Sequence, residues 1–213
     1  MMLTRAIAVL GLCILAACTA EEEDLSQPPE PLGQFRLGHN IAIADNVTKG
    51  PFSREFTEDQ LEGTVQDAVA ARLRRYDGDG LYHLGINIGG VVLAQPGIPV
   101  VYAPRSAMIV DVTVFDNFTQ EKLNEEPFRV VASEGWQNAA PLIGSGYVRS
   151  AEAQLENLSV EVAKAIEIWL NDNPEWFAPR EGQVRVPYDI SVAVPEIDTT
   201  STDDIAAAAN DQN

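Results

Sequence analysis

Residues 107–115 read Ala-Met-Ile-Val-Asp-Val-Thr-Val-Phe, and a period of two runs through the stretch. Met108, Val110, Val112 and Val114 fall on one side of an extended chain, against Ile109, Asp111, Thr113 and Phe115 on the other. Asp116 to Glu126 follows as a polar turn, and Phe128 to Ala132 reads as a further strand, so the two runs form a hairpin with a long tip.

Working back from that hairpin, Gln95 to Arg105 holds Pro96, Gly97, Pro99 and Pro104, which forbid a regular ladder and mark a long connection. Leu81 to Ala94 has strand character, with Ile86, Ile88 and Val91-Val92-Leu93. Before it, Thr57-Glu58-Asp59-Gln60 is a capping box. Leu61, Val65, Ala68, Val69, Leu73 and Tyr76 then recur at helical spacing, so the pattern predicts an amphipathic helix over Glu58 to Tyr76, ended by Asp77-Gly78-Asp79-Gly80. Phe35 to Ala44 reads as the first strand, with Ile41 and Ile43 on one face, and a turn-rich loop with Asn46 and Gly50-Pro51 follows it.

Downstream of the hairpin, a connection through Gly135, Gly144 and Gly146 leads to Ser150, which can cap a second helix bearing Leu155, Leu158, Val162, Ala165, Ile166, Trp169 and Leu170. Asn173-Pro174 stops that helix. Gln183 to Val194 alternates as a possible late strand, which Pro187 would place at an edge. The order is β-α-β-β-β-α. Two amphipathic helices each need a face to bury against, and a mostly antiparallel sheet covered on one face supplies it, giving an α+β two-layer sandwich. A single domain over residues 34–195 and a disordered acidic tail over 196–213 complete the expected layout.

The first residues carry a different message. Arg5 supplies a short basic region, and Ala6 to Ala17 is an apolar run broken only by Gly11, too short for a spanning helix. It ends in Leu15-Ala16-Ala17-Cys18, which resembles the lipobox of bacterial lipoproteins. That resemblance implies cleavage between Ala17 and Cys18, a diacylglycerol thioether on Cys18 and acylation of the new amine. Small side chains at Ala16 and Ala17 suit approach by an intramembrane protease, and only a thiol can carry the thioether. Thr19 to Gly33 is acidic and proline-bearing, a flexible tether between anchor and domain. By resemblance to the enterobacterial sorting rule, Thr19 rather than aspartate implies the outer membrane, facing the periplasm. The strand order, together with Met108 to Leu123 (MIVDVTVFDNFTQEKL), is similar to lipoproteins of the lipopolysaccharide-assembly (LptE-like) and ABC-transport auxiliary type over residues 35–177. Their turn runs D-x-x-T-x-x-x-L, matched by Asp116, Thr119 and Leu123, but their usual glycine after the threonine is Gln120 here.

Loss of residues 1–17 would leave 196 residues with 13 basic and 32 acidic side chains, a formal charge of −19, since only Arg5 is removed. Such a body repels nucleic acid and anionic headgroups, so membrane attachment would depend on the lipid anchor. Cys13 leaves with the signal and Cys18 is modified, so no disulfide is expected and the apolar core must hold the fold.

No catalytic constellation is legible. Gly144-Ser145-Gly146 is too short for a nucleophile elbow and reads as a turn. His39 and His83 have no second histidine or cysteine at ligand spacing and read as half-exposed strand residues, although neighbouring strands could bring them together. Asp77-x-Asp79-Gly80 resembles the opening of a calcium loop, but the twelfth position is Ile88, and a helix-ending turn accounts for the same residues. No cofactor or metal is expected. Ile98, Val100, Val101 and Tyr102 stand between prolines, and either fold back onto the core or form an apolar contact for a partner. Trp136, Trp176 and Phe177 pose the same choice, with packing as the default. The expectation is a non-enzymatic, membrane-anchored accessory or assembly subunit that binds another envelope protein. The alternative is a carrier holding a lipid or other apolar molecule between helices and sheet, which would need an enclosed cavity of several hundred Å³.

Overall fold

The computed structural model describes residues 24–95, 105–133 and 150–188. In chain order these form β1 (Phe35–Ile43), β2 (Thr48–Lys49), α1 (Glu58–Leu73), β3 (Gly80–Val92), β4 (Ala107–Asp116), β5 (Glu121–Lys122), β6 (Phe128–Ser133), α2 (Ala151–Asn171) and a 3-10 turn (Pro174–Phe177). The two long strands β3 and β4 pair antiparallel through the centre. β1 and then β2 line the far side of β3, while β6 and β5 line the far side of β4. Both helices lie on one face, α1 over β1 and α2 over β6, and they pack against each other. This is the α+β two-layer sandwich that the periodicities predict. The sheet is mixed: β4 is antiparallel to β5 and β6, but β1 and β3 run parallel, joined by the α1 crossover.

Alternation sets the buried layer. Met108, Val110, Val112 and Val114 point inward and are fully buried, facing Leu61, Val65, Val69 and Leu73 of α1 and Leu158, Val162, Ile166 and Leu170 of α2, all at 0% exposure. Burying each such side chain stabilises the fold by roughly 1.5–3 kcal/mol before chain entropy opposes it. Two irregularities keep the remaining strands in phase. The β1–β3 register shifts between Leu37 and Asn40, so Phe35 and Leu37 point inward and, beyond the shift, Ala42 does. Gly89 is the extra residue in β3 against β4, and the inward positions step from Ile88 to Val91 across it.

Both predicted caps form. Thr57 Oγ1 accepts from Gln60 N and Gln60 Oε1 from Thr57 N, each at 3.1 Å, and Ser150 Oγ accepts from Ala153 N at 3.1 Å. Helix α1 ends at Leu73, three residues before the predicted end, because the chain must turn to meet β1. Gly78 N donates to Phe35 O (3.0 Å) and Gly80 N to Gln34 O (2.8 Å). A Cβ on Gly78 would lie 2.2 Å from the Gln34 backbone, so the Asp-Gly-Asp-Gly turn is a close-packing device. Tyr76 stays in the core, and its hydroxyl joins Arg72 and Arg75 around Glu167 of α2 at 2.8, 2.8 and 3.1 Å. Burial, and then the Glu167 carboxylate, push the Tyr76 hydroxyl up to about 12.

The stretch read as a tether is held at its domain end. Leu32 is buried, Gln34 N donates to Phe177 O (2.8 Å), and Arg75 Nη1 donates to Gln27 O (3.2 Å). The alternation of Gln183 to Val194 does not make a strand in its described part. Gln183–Tyr188 is irregular and Val184 is 75% exposed, and the remaining residues 189–194 lie outside the described ones. Phe177 packs in the core on Phe35 and Tyr82, and Trp176 sits edge-on to Trp169, so packing accounts for both.

The two lateral edges of the sheet are finished by side chains to different extents. Along β1, helix α1 takes the place of a further strand: Glu62 accepts from Ala44 N (2.7 Å), Gln66 Nε2 donates to Ala42 O (3.4 Å), and Asn40 Nδ2 donates to Gln66 O (2.7 Å). On the other side, the gap between β5 and β6 is filled by the Asn124 carboxamide. It accepts from Val114 N (2.9 Å) and donates to Val112 O (3.0 Å) and Glu126 O (2.8 Å). Gln120, where the resemblance expects glycine, has φ 60°, the left-handed conformation that glycine adopts most readily.

Candidate partner surface

The helices cover one face of the sheet, and among the described residues no secondary-structure layer covers the other. The outward positions of β4 carry Ile109, Asp111, Thr113 and Phe115, those of β6 Arg129 and Val131, and those of β1 Ile41 and Ile43. Val131 is 65% exposed, Ile41 50%, Ile43 45% and Ile109 39%. Apolar side chains on one connected face are a stronger signal than the same residues scattered singly. Two shallow depressions share the Phe115 ring. One, of 310 Å³, is lined by Ile43, Gly85, Asn87, Thr113, Phe115 and Pro127 among others. The other, of 280 Å³, is lined by His39, Ile41, His83, Phe115, Asp116, Asn117 and Gln120. On this open face Arg129 pairs with Asp111, directly opposite across the strands, at 2.8 and 3.0 Å. The arginine hydrogen bonds hold the Asp111 carboxyl below its ordinary value, and exposure leaves the pair screened by solvent.

The second depression brings the two histidines together, with ring centroids 4.9 Å apart. His39 N–H donates to His83 Nδ1 (2.8 Å), which requires that nitrogen to be unprotonated, so His83 Nε2 carries the proton toward Asn117 Oδ1 (3.2 Å). A Cβ on Gly38 would lie 2.5 Å from His83 Nδ1, so the glycine makes room for the ring. Burial pulls the His83 pKa below its ordinary value, reinforced by His39 and opposed by Asn117 and Asp116. With both nitrogens engaged, His83 has no lone pair free for a substrate proton or a metal in this geometry. Tyr188 closes over His39 edge-on at 5.3 Å. Asp116 below is 2% exposed, paired with Arg180, and accepts from Phe118 N (2.8 Å).

Other residues singled out from sequence have structural tasks where they are described. Asp77 and Asp79 both face Arg185, and the arginine contacts hold the Asp77 carboxyl low. Ile88, at the twelfth calcium-loop position, is buried in β3. Among the described residues, no group of three or more His, Cys, Asp or Glu side chains is placed to hold a metal, and no helix is long and apolar enough to cross a membrane. Ala17, Cys18, Ile98, Val100, Val101, Tyr102, Trp136 and Ser145 lie outside the described residues. Sequence reasoning missed Asn124, Asn117 and Arg180. Each is a polar residue in a turn or loop, and its task appears only when a distant strand arrives beside it.

No family model and no curated protein matches the chain. Among solved structures, it is similar to a candidate lipoprotein from Caulobacter crescentus CB15, at 17% identity over 63% of this chain and 93% of that one, with a TM-score of 0.35. It is also similar to the DUF330 protein XCC0632 from Xanthomonas campestris (11% identity, 70% and 93% covered, TM-score 0.38). A third similar chain is that of the PelC dodecamer from Paraburkholderia phytofirmans (8% identity, 63% and 92% covered, TM-score 0.31).

Proposed function

We propose that this chain is a bacterial lipoprotein, anchored through Cys18 to the outer membrane and facing the periplasm, whose α+β domain is a non-enzymatic accessory subunit that docks another envelope protein. The anchor reading rests on Leu15-Ala16-Ala17-Cys18 after an apolar run, and the membrane assignment on Thr19. The observation that carries the docking reading is the contrast between the two faces of the sheet. Among the described residues, the inner side chains of β4 and those of both helices that face them are closed off from solvent, whereas Ile41, Ile43, Ile109 and Val131 stand open on the outer face. A carrier needs the opposite arrangement, with an enclosed cavity between helices and sheet. The non-enzymatic reading is supported by the engagement of both His83 nitrogens in the one histidine cluster described.

Two measurements test it. Cys18→Ser should abolish fatty-acid labelling in cells and move the chain from the detergent phase to the aqueous phase. A photo-crosslinking amino acid at Ile43 should capture one envelope protein reproducibly, and the same probe at Glu58, on the helical layer, should not. Equal capture from both positions would contradict docking through the open face.

A further inference from the structure

Strand β6 pairs with β4 over Phe128–Ser133 without a register shift. The direction of its backbone groups follows from its neighbour. Bonds from Val114 N and Val112 O to Asn124 show that these residues turn their peptide groups toward the β6 side. By alternation Val110 and Met108 do the same, and their partners are Val130 and Ala132. Phe128, Val130 and Ala132 therefore use their N–H and C=O groups on β4, and Arg129, Val131 and Ser133 direct theirs away from the sheet. Among the described residues, no strand or backbone group pairs with that outer row.

Edge strands in native proteins are commonly guarded by a lysine, a proline, a bulge or a covering element. Within β6 none of the first three occurs: Pro127 precedes the strand, and its one charged side chain, Arg129, is turned onto Asp111. The opposite edge, by contrast, has two backbone groups capped at its C-terminal end, Ala44 N by Glu62 and Ala42 O by Gln66.

We propose that β6 is the docking edge, and that it takes one extended segment of another envelope protein as an added strand. This deepens the docking reading above and rests on it. A row of donors and acceptors two residues apart is satisfied along its length only by an extended polypeptide. The segment would carry an apolar side chain beside Val131, next to Ile109 on the open face, with polar neighbours beside Arg129 and Ser133. It would be neutral or basic. The formal charge of −18 opposes a second copy of this chain, and the edge itself brings no unpaired charge.

The test uses the full chain in cells, with a photo-crosslinking amino acid placed singly at Arg129, Val131 and Ser133 and the linked peptides mapped by mass spectrometry. The expected result is three crosslinks to one segment of one other protein, with contact points advancing by about two residues per step in a single direction. Crosslinks to a second copy, to residues 134–149 of the same chain, or to unrelated points on a partner would overturn the proposal. Val131→Pro removes an outward N–H that β4 does not use, so the chain should fold while capture through Ser133 falls at least roughly tenfold. Val131→Lys, which keeps the N–H but places a charge on the edge, should reduce capture in the same direction and serves if the proline variant is unstable. Undiminished capture in both variants would rule out strand addition. In that event capture of the same protein through Ile43 would leave the docking reading standing, whereas no capture from Ile43 or any β6 position of the otherwise wild-type chain would remove both.

Discussion

At the C-terminal end of β1, Glu62 and Gln66 of α1 take up Ala44 N and Ala42 O, two groups that a neighbouring strand would have bonded; along β6, nothing among the described residues does so. Both edges belong to one sheet, and the difference between them is one of local burial. Ala44 is fully buried and its N–H would be an orphan without Glu62, while the outward groups of Arg129, Val131 and Ser133 lie where water or a partner can reach them. The contrast teaches that sealing is local to buried peptide groups, and that an edge left open retains the capacity to pair. Asn124 makes the point within a single edge, since it seals Val112 and Val114 and stops where β6 begins.

Proline scanning should break the comparison most sharply. Val130→Pro removes a ladder bond to Val110 at a buried position and should destabilise the domain by about 3 kcal/mol or more, whereas Val131→Pro should stay within about 1 kcal/mol in urea unfolding. Equal losses at the two positions would mean that the inferred alternation is wrong. Asn124→Ala leaves two buried peptide groups unpartnered and should cost about 2–4 kcal/mol. At the sealed edge, Glu62→Ala should cost about 1–2 kcal/mol through the orphaned Ala44 N–H, and Glu62→Gln, which keeps an acceptor, should recover most of it.

The smaller effects lie at the hairpin tip and the histidine pair. Gln120→Gly relieves a left-handed residue and should stabilise by about 0.5–1 kcal/mol, shifting the urea midpoint upward with unchanged slope. His83 has a lowered pKa in the fold, so below the unfolded-state value of about 6.5 the unfolded chain binds more protons. Stability at His83 should therefore be fully present above that pH and decline as pH falls through 6.5 toward the folded value. His83→Gln should flatten this part of the profile. A slope unchanged in the variant would assign the pH dependence to other groups.

Much of this architecture can be read from residue order, and the exceptions have physical causes. The alternation of residues 107–115 and the caps at Thr57 and Ser150 act locally, so the central strand and both helix starts follow from them. The parallel pairing of β1 with β3 does not follow from alternation, since a period of two is the same in either direction; its signal is the helix read between the two strands, which the expectation of a mostly antiparallel sheet left unused. Ile41 and Ile43 share a face as predicted, but that this face is the open one depends on a register shift after Leu37, whose one local signal is Gly38 within the strand. Two-residue strands such as β2 and β5 are too short to carry a period. The open edge is the least legible part of all, since an unpaired peptide group has no sequence signature. It is defined by what fails to arrive beside it.

The most direct test of this difference between edges is hydrogen exchange, read amide by amide on the full-length chain without a partner. The N–H groups of Arg129, Val131 and Ser133 should exchange at close to the rate of an open peptide, roughly a hundredfold or more faster than those of Ala44 and Val114. Protection of Val131 equal to that of Val114 would show that the β6 edge is already occupied within the chain, and would contradict the account.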